Sequence, residues 1–230
     1  MFKKIGWVLF PVLILSVACF GAVKKEVEQI VLKTQQDKVS YMIGFQTGQN
    51  LKKQGIEVDL KLLKRGLIDG LSGDKPLLSD AELKEVIMTL QKDVLTRLSE
   101  KNKKDGEAFL ANNKTKPGVV TLPSGLQYKV LTAGTGPTPK ADDTVTVNYQ
   151  GTLIDGTEFD SSYKRGTPAK FGVSQVIPGW TEALKLMKVG AQWQLFIPAN
   201  LAYGEQGAGR VIGPNTVLIF KVELLSIEPK

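Results

Sequence analysis

The sequence has no histidine and a single cysteine, Cys19. The first absence excludes Ser-His-Asp and Cys-His catalysis and histidine-ligated zinc. The second leaves no intrachain disulfide, cysteine cluster or CxxC redox pair. Aromatic residues make up only 7% of the chain and are unevenly placed. Past the first 22 residues, Trp180, Trp193 and most of the Tyr and Phe lie beyond residue 120. Proline is almost missing from 24 to 115, where Pro76 stands alone. Long runs of one charge are missing too: basic residues mix with acids, as in Lys101-Asn-Lys-Lys-Asp105. The formal charge of +7 therefore reads as a solvated basic surface, not a nucleic-acid footprint.

What is present begins with a leader. Lys3 and Lys4 precede an apolar run from Ile5 to about Ala18, and small residues follow. A basic start, a short apolar stretch and a small-residue exit predict a secretory signal peptide over residues 1–22. The run is short for a membrane span, which needs ~20 apolar residues. Ser16-Val-Ala-Cys19 also resembles a bacterial lipobox, with its usual leucine one place early, at Leu15. Cys19 is then either a lipid attachment site or a bystander in an ordinary leader. A membrane contact is expected only if Cys19 carries lipid.

Residues 24 to about 115 predict helix. Asp37 is placed to cap a first helix carrying Val39, Tyr41, Met42, Phe45 and Leu51. Gly44 and Gly48 cost helix propensity there, and suit close packing of soluble helices. Asp59 is placed to cap a second helix, Leu60 to Leu71, ending at Gly73. Ser79-Asp-Ala-Glu82 has the capping-box form, in which the Ser oxygen and the Glu side chain satisfy backbone donors reciprocally. The helix it opens carries Leu83, Val86, Ile87, Leu90, Val94 and Leu98 at three- and four-residue spacing, one apolar stripe. If continuous from Asp80 to Asn113 it is ~50 Å long at 1.5 Å per residue. The alternative is a break near Lys104-Asp-Gly106.

Lys116-Pro-Gly118 ends the helical half, since proline and glycine together disfavour continuation. Alternation and frequent turns follow. Strands are expected at Leu126–Leu131, Thr144–Leu153, Gln192–Ile197 and Val217–Ile227. Asp155-Gly156 is a hairpin signal. One short helix is expected over Thr181–Lys188, stopped by Gly190. The fold class is α+β: an all-α N-terminal domain with a long connecting helix, then an antiparallel sheet around one short helix.

Within the second half, Tyr149, Phe159, Val176, Ile177 and Trp180 fall close together in sequence, with one carboxylate, Asp160, among them. An aromatic cup with a single acid suits an apolar, uncharged substrate. It does not suit hydrolysis or phosphoryl transfer. Taken singly, Tyr149, Phe171, Trp180 and Phe220 would read as core, and Asp160 as a turn or cap residue.

Four motifs occur in order: Gly151-Thr-Leu-Ile-Asp-Gly-Thr-Glu-Phe-Asp-Ser-Ser162, Val176-Ile-Pro-Gly-Trp180, Ile197-Pro-Ala-Asn-Leu-Ala-Tyr-Gly204 and Ile212-Gly-Pro-Asn-Thr-Val-Leu-Ile-Phe220. With them, residues 120–228 resemble an FKBP-type peptidyl-prolyl cis-trans isomerase. The helical half, with Phe109-Leu-Ala-Asn-Asn113 and Leu122-Pro-Ser-Gly-Leu-Gln-Tyr128 at the junction, resembles the macrophage infectivity potentiator subfamily. The resemblance implies a helical dimerisation or chaperone domain over 23–116 and an isomerase domain over 117–230. It implies an exported, V-shaped homodimer, periplasmic or outer-membrane associated in a bacterium, with no cofactor and no metal. Proline-containing unfolded chains or peptides are the implied substrates, and macrolides the implied inhibitors. Asp160, Tyr149, Phe159 and Tyr203 are the implied catalytic residues. Phe171, Val176, Ile177, Trp180, Ile212 and Phe220 are the implied substrate-binding residues. Trp180 would form the floor, and the Tyr203 hydroxyl and Ile177 backbone N–H would hold carbonyls. Ala169 stands where small eukaryotic members have a pocket Phe, and Phe171 takes that wall. The loop Gly204-Glu-Gln-Gly-Ala-Gly-Arg210 is glycine-rich. A dimeric periplasmic chaperone with incidental turnover is the competing function, and a surface lipoprotein a third.

Overall fold

A computed structural model describes residues 30–228. The leader and Cys19 lie outside the described residues. Contacts divide the chain into two compact units at Gly48/Gln49. The division falls within the first helix, α1 (Gln35–Lys53). Its start differs from the expected one. Thr34 caps it, its hydroxyl oxygen accepting from Asp37 N at 3.1 Å, while Asp37 Oδ2 accepts from Thr34 N at 2.8 Å. Asp37 is thus the reciprocating partner in a capping box, because its carboxylate reaches back to the free donors of the turn before it. Among the described residues, nothing lies within 4 Å of a Cβ built on Gly44 or Gly48. Among the described residues, the close approach these glycines allow is unused.

The second helix, α2 (Leu60–Ser72), has Asp59 at its N-cap, accepting from Lys61 and Leu62 N–H, and a left-handed Gly73 at its C-terminal end. The third, α3 (Asp80–Asn113), is unbroken over 34 residues. Its capping box forms as Ser79 N–H donates to Glu82 Oε2 at 2.8 Å and Ser79 Oγ accepts from Glu82 N. Gly106 does not interrupt it, since helical φ/ψ is open to glycine at a cost of ~1 kcal/mol.

The rest of the chain is one antiparallel sheet. Its strands are β1 (Val119–Thr121), β2 (Gln127–Thr132), β3 (Thr144–Leu153), β4 (Glu158–Ser161), β5 (Ala169–Gly172), β6 (Gln192–Ile197) and β7 (Leu218–Glu228). They run in the order β1-β2-β6-β7-β3-β4, with β5 also paired to β3. Two short helices interrupt them, α4 (Ser162–Arg165) and α5 (Pro178–Leu184). The strands expected at Leu126 and Val217 begin one residue later. The expected helix over Thr181–Lys188 instead spans Pro178–Leu184. Proline's fixed φ prepares the first helical position, so the Ile177-Pro178 step starts the helix early. Hydrophobic alternation sets the sheet's inner face: Val145, Val147 and Tyr149 of β3, Leu195 and Ile197 of β6, and Leu218, Phe220, Val222 and Leu224 of β7 are buried. Against them lie Trp180, Ala183 and Leu184 of α5. A Cβ on Gly179 would stand 2.5 Å from Ile197 Cγ2. Only glycine lets α5 sit this close to β6.

Candidate active site

The recess on this inner face is lined from β3, β4, β5, α5, β7 and the segments between them. Central β3 carries Tyr149 inward with its neighbours Val145 and Val147, every second residue facing the core. Across from it, β4 is out of register. Gly151 pairs with Asp160 and Thr152 with Glu158, leaving Phe159 as the extra residue of a bulge. Strict alternation would send Phe159 and Asp160 to opposite faces; the bulge re-aims them to border one recess. Gly151 makes room for this. A Cβ there would lie 2.6 Å from Phe159 Cε2 and 2.8 Å from Phe220 Cε1.

Trp180 is the hub of the recess. It meets Tyr149, Phe171 and Phe220 edge-on, at centroid distances of 5.3, 5.7 and 5.2 Å. Phe159 meets Phe220 edge-on at 5.4 Å. Edge-to-face contacts set the positive ring edge against a negative face, which favours this geometry over a sandwich. Trp180 Nε1 is buried without a hydrogen-bond partner. The recess holds about 700 Å³ and is bordered by Phe171, Val176, Ile177, Tyr203, Ile212 and the residues just named. All ten substrate and catalytic positions expected from sequence, Tyr149, Phe159, Asp160, Phe171, Val176, Ile177, Trp180, Tyr203, Ile212 and Phe220, line this one cavity. Gln175, Ala208 and Gly209 also border it, and sequence reasoning did not single them out.

Both oxygens of the Asp160 carboxylate are engaged. Tyr149 OH donates to Asp160 Oδ2 at 2.5 Å. Arg165 donates to Asp160 Oδ1 through Nη1 and to Tyr149 OH through Nη2 at 2.8 Å. The guanidinium also lies 5.3 Å from the Tyr149 ring centroid. Burial opposes ionisation of Asp160, but hydrogen bonds from Tyr149 and Arg165 and the guanidinium charge outweigh it. The carboxyl titrates below its ordinary value. Burial, then the bond to Asp160, pushes the Tyr149 phenol up.

Sequence reasoning missed Arg165, and the local fold explains its reach. Ser161 Oγ caps α4 by accepting from Lys164 N. Ser162 Oγ accepts from Tyr149 N at 2.8 Å, tying the start of α4 to β3. One helical turn later the chain brings Arg165 back over Asp160. The signal was an arginine five residues past the acid, with two serines between, one of them a helix cap.

The sequence and fold match known proteins. The model of the FKBP-type peptidyl-prolyl cis-trans isomerase family matches residues 136–225. The model of the domain amino-terminal to that isomerase matches residues 36–130. The chain is 53% identical to "Outer membrane protein MIP" of Legionella longbeachae, covering 86% of this chain and 88% of that protein. It is 50% identical to "Peptidyl-prolyl cis-trans isomerase Mip" of Coxiella burnetii, over 86% and 90%. The crystal structure of FkpA from Escherichia coli superposes with a TM-score of 0.64 at 38% identity, over 86% of this chain and 99% of that one.

Proposed function

The chain belongs to the FKBP-type peptidyl-prolyl cis-trans isomerase family and is such an enzyme, and we propose that it serves exported, incompletely folded proteins through the recess around Trp180. The observation that carries the reading is the aromatic cavity whose single acid is spoken for by Tyr149 and Arg165. Among the described residues, the lining holds no histidine, no cysteine and no unpaired carboxylate, which suits a reaction that makes and breaks no covalent bond.

An X-Pro bond prefers trans by only about 0.5–1 kcal/mol, yet exchanges in tens to hundreds of seconds. The barrier of ~18–20 kcal/mol arises from amide resonance lost at the twist. A twisted imide is less dipolar than the planar one and depends less on water. A dry aromatic cavity therefore disfavours the planar ground state relative to the twist, and such differential stabilisation is all that catalysis needs. Trp180 forms the floor. Phe159, Val176 and Phe220 strip water from the prolyl ring. The Tyr203 hydroxyl and the Ile177 N–H hold flanking carbonyls, while Phe171 and Ile212 close the walls. Asp160, held by Tyr149, sets a fixed negative charge beside the polarised carbonyl carbon.

In this reading residues 1–22 are a signal peptide, 23–116 a helical dimerisation domain and 117–230 the isomerase domain. Tyr41, Met42 and Phe45 of α1 and Leu62, Leu67 and Leu71 of α2 are exposed apolar residues. Such surface is uncommon on a finished monomer and supports a homodimer joined through the helical half. The same surface favours a second reading, a dimeric holdase for unfolded chains in which turnover is incidental.

The test is an isomer-specific peptide assay on the mature protein, with and without a macrolide. Asp160→Ala and Phe159→Ala should each lower kcat/KM at least tenfold while the protein stays folded. Wild-type kcat/KM in both would remove the recess as the active site. Deletion of 23–116 that abolishes refolding help but leaves peptide turnover intact would favour the holdase.

A further inference from the structure

The face of α3 that carries the apolar stripe does not end at Leu98. It continues through Asn102, Gly106, Phe109 and Asn113, keeping the three- and four-residue spacing of one helix face. Its chemistry changes from uniformly apolar to two asparagines, a glycine and one phenylalanine, and each residue of this second part meets the sheet half of the molecule. Asn113 Nδ2 donates to Gln127 Oε1 at 3.0 Å, and Gln127 Nε2 to Leu110 O at 2.9 Å. Phe109 lies 6.0 Å from Phe196 between ring centroids. A Cβ on Gly106 would stand 2.7 Å from Val217 Cγ2, so the mid-helix glycine is what admits the close approach.

The upper part of this seam touches a different partner. Asn102 Nδ2 donates to Pro214 O at 2.8 Å and to Thr216 Oγ1 at 3.2 Å. Asn215 Nδ2 donates to Ser99 Oγ at 2.8 Å. Leu98 and Asn102 cover Gly213, whose Cβ would meet Leu98 Cδ2 at 3.3 Å and Asn102 Nδ2 at 3.0 Å. These four consecutive residues, 213–216, close the loop that brings Tyr203, Ala208, Gly209 and Ile212 to the recess. The closure is tight. Asn215 N–H donates to Gly204 O at 2.8 Å, and Ala208 and Ile212 exchange backbone bonds at 2.8 and 3.2 Å. Asn215 adopts a positive φ of 54°, a conformation a non-glycine residue keeps only when its surroundings hold it there.

We propose that Ser99 and Asn102 of α3 are positioning residues of the isomerase site: they hold the 203–216 loop so that Tyr203 and Ile212 face the substrate. The proposal rests on the recess being the active site. It makes the long helix part of the catalytic half's architecture, beyond its role as a connector. Neither residue borders the recess, so both act through the loop. Loss of the brace lets the loop open, which weakens ground-state and transition-state binding alike and appears in KM more than in kcat.

The test uses the full mature chain, with kcat and KM taken from exchange spectroscopy on an X-Pro peptide. Asn102→Asp keeps the shape but removes the donor to Pro214 O. Combined with Ser99→Ala it should raise KM roughly fivefold, the size expected for losing one or two hydrogen bonds, with kcat within about twofold. Amide exchange at Asn215, Ala208 and Ile212 should quicken in the same variant. Asn113→Ala is the control: it weakens the seat of α3 on β2, far from the loop, and should lower the unfolding midpoint while leaving KM as in wild type. Asn102→Ala serves as a second probe if the charged variant fails to fold. Wild-type KM together with unchanged loop exchange in the folded variants overturns the proposal. So does an equal KM rise in Asn113→Ala. The exchange readout needs no turnover, so a wild-type protein without isomerase activity would sink the functional reading and leave the brace testable.

Discussion

Replacing Gly151 by alanine separates packing from catalysis in the recess. The added Cβ would lie 2.6 Å from Phe159 Cε2 and Cζ and 2.8 Å from Phe220 Cε1. Ordinary carbon contacts are ~3.5–4.0 Å, so the rings must give by roughly 1 Å. Two effects oppose each other. Alanine recovers about 0.5–1 kcal/mol of the backbone entropy that glycine costs in a strand. Overpacking costs typically 1–3 kcal/mol. Phe220 is buried and fixed between Trp180 and Tyr149. Phe159 borders open space and is only half-buried, so its ring is the one that moves, into the recess. Net destabilisation should then be small, about 1 kcal/mol, read from the denaturant midpoint. The displaced ring occupies substrate space, so kcat/KM should fall at least tenfold, about 1.4 kcal/mol in the barrier. In a Phe159→Ala background the stability cost should fall, because one of the two clashing rings is gone and neighbouring effects do not add, while the contact with Phe220 remains. Wild-type kcat/KM in a folded Gly151→Ala protein would refute the argument.

Arg165→Met should shift the acid side of the pH profile upward. The native Asp160 carboxyl titrates below its ordinary value. Its stabilising contribution is therefore complete above the unfolded-state value and is lost as pH falls through the lower folded one. Wild-type kcat/KM should be flat from about pH 5 to 9, since there is no histidine. Loss of the guanidinium moves the acid limb toward neutrality; a coincident profile would show that Arg165 does not act on Asp160. Gly106→Ala should destabilise despite its better helix propensity. The Cβ meets Val217 at 2.7 Å, and overpacking of about 1–3 kcal/mol exceeds the ~1 kcal/mol gained. A raised denaturant midpoint would contradict this.

Much of this architecture was legible where a local rule acts alone. Ser79 and Glu82 announce α3 because a capping box is chemistry between neighbours. The alternation of Val145, Val147 and Tyr149 fixes which face of β3 is inside. The cap of α1 was misread because Thr34 and Asp37 are both competent, and the choice depends on which backbone donors are free. Pro178 pulled α5 forward of the expected Thr181 start for a reason visible in sequence, its fixed φ at the first helical position. Arg165 was invisible to pattern reasoning because its partner sits across a turn whose path two serines set. The brace by Ser99 and Asn102 was beyond sequence altogether. Its partners are more than a hundred residues away, at separations of 116 and 112, and a polar residue on a long helix ordinarily faces solvent.

The engagement of Asp160 decides what the acid can do. Were it a general base, its value would be tuned upward, toward the working pH. The arrangement is the reverse. Oδ2 accepts from Tyr149 and Oδ1 from Arg165, and the combined effect holds the carboxyl ionised. Of the pair, Asp160 borders the recess and Arg165 does not. In the proposed mechanism the carboxylate then sets a negative field on the aromatic wall of the cavity. Such a field costs no reorganisation when the imide twists, because its donors are already in place. The charge can stabilise a carbonyl carbon that loses its amide resonance without ever exchanging a proton with it.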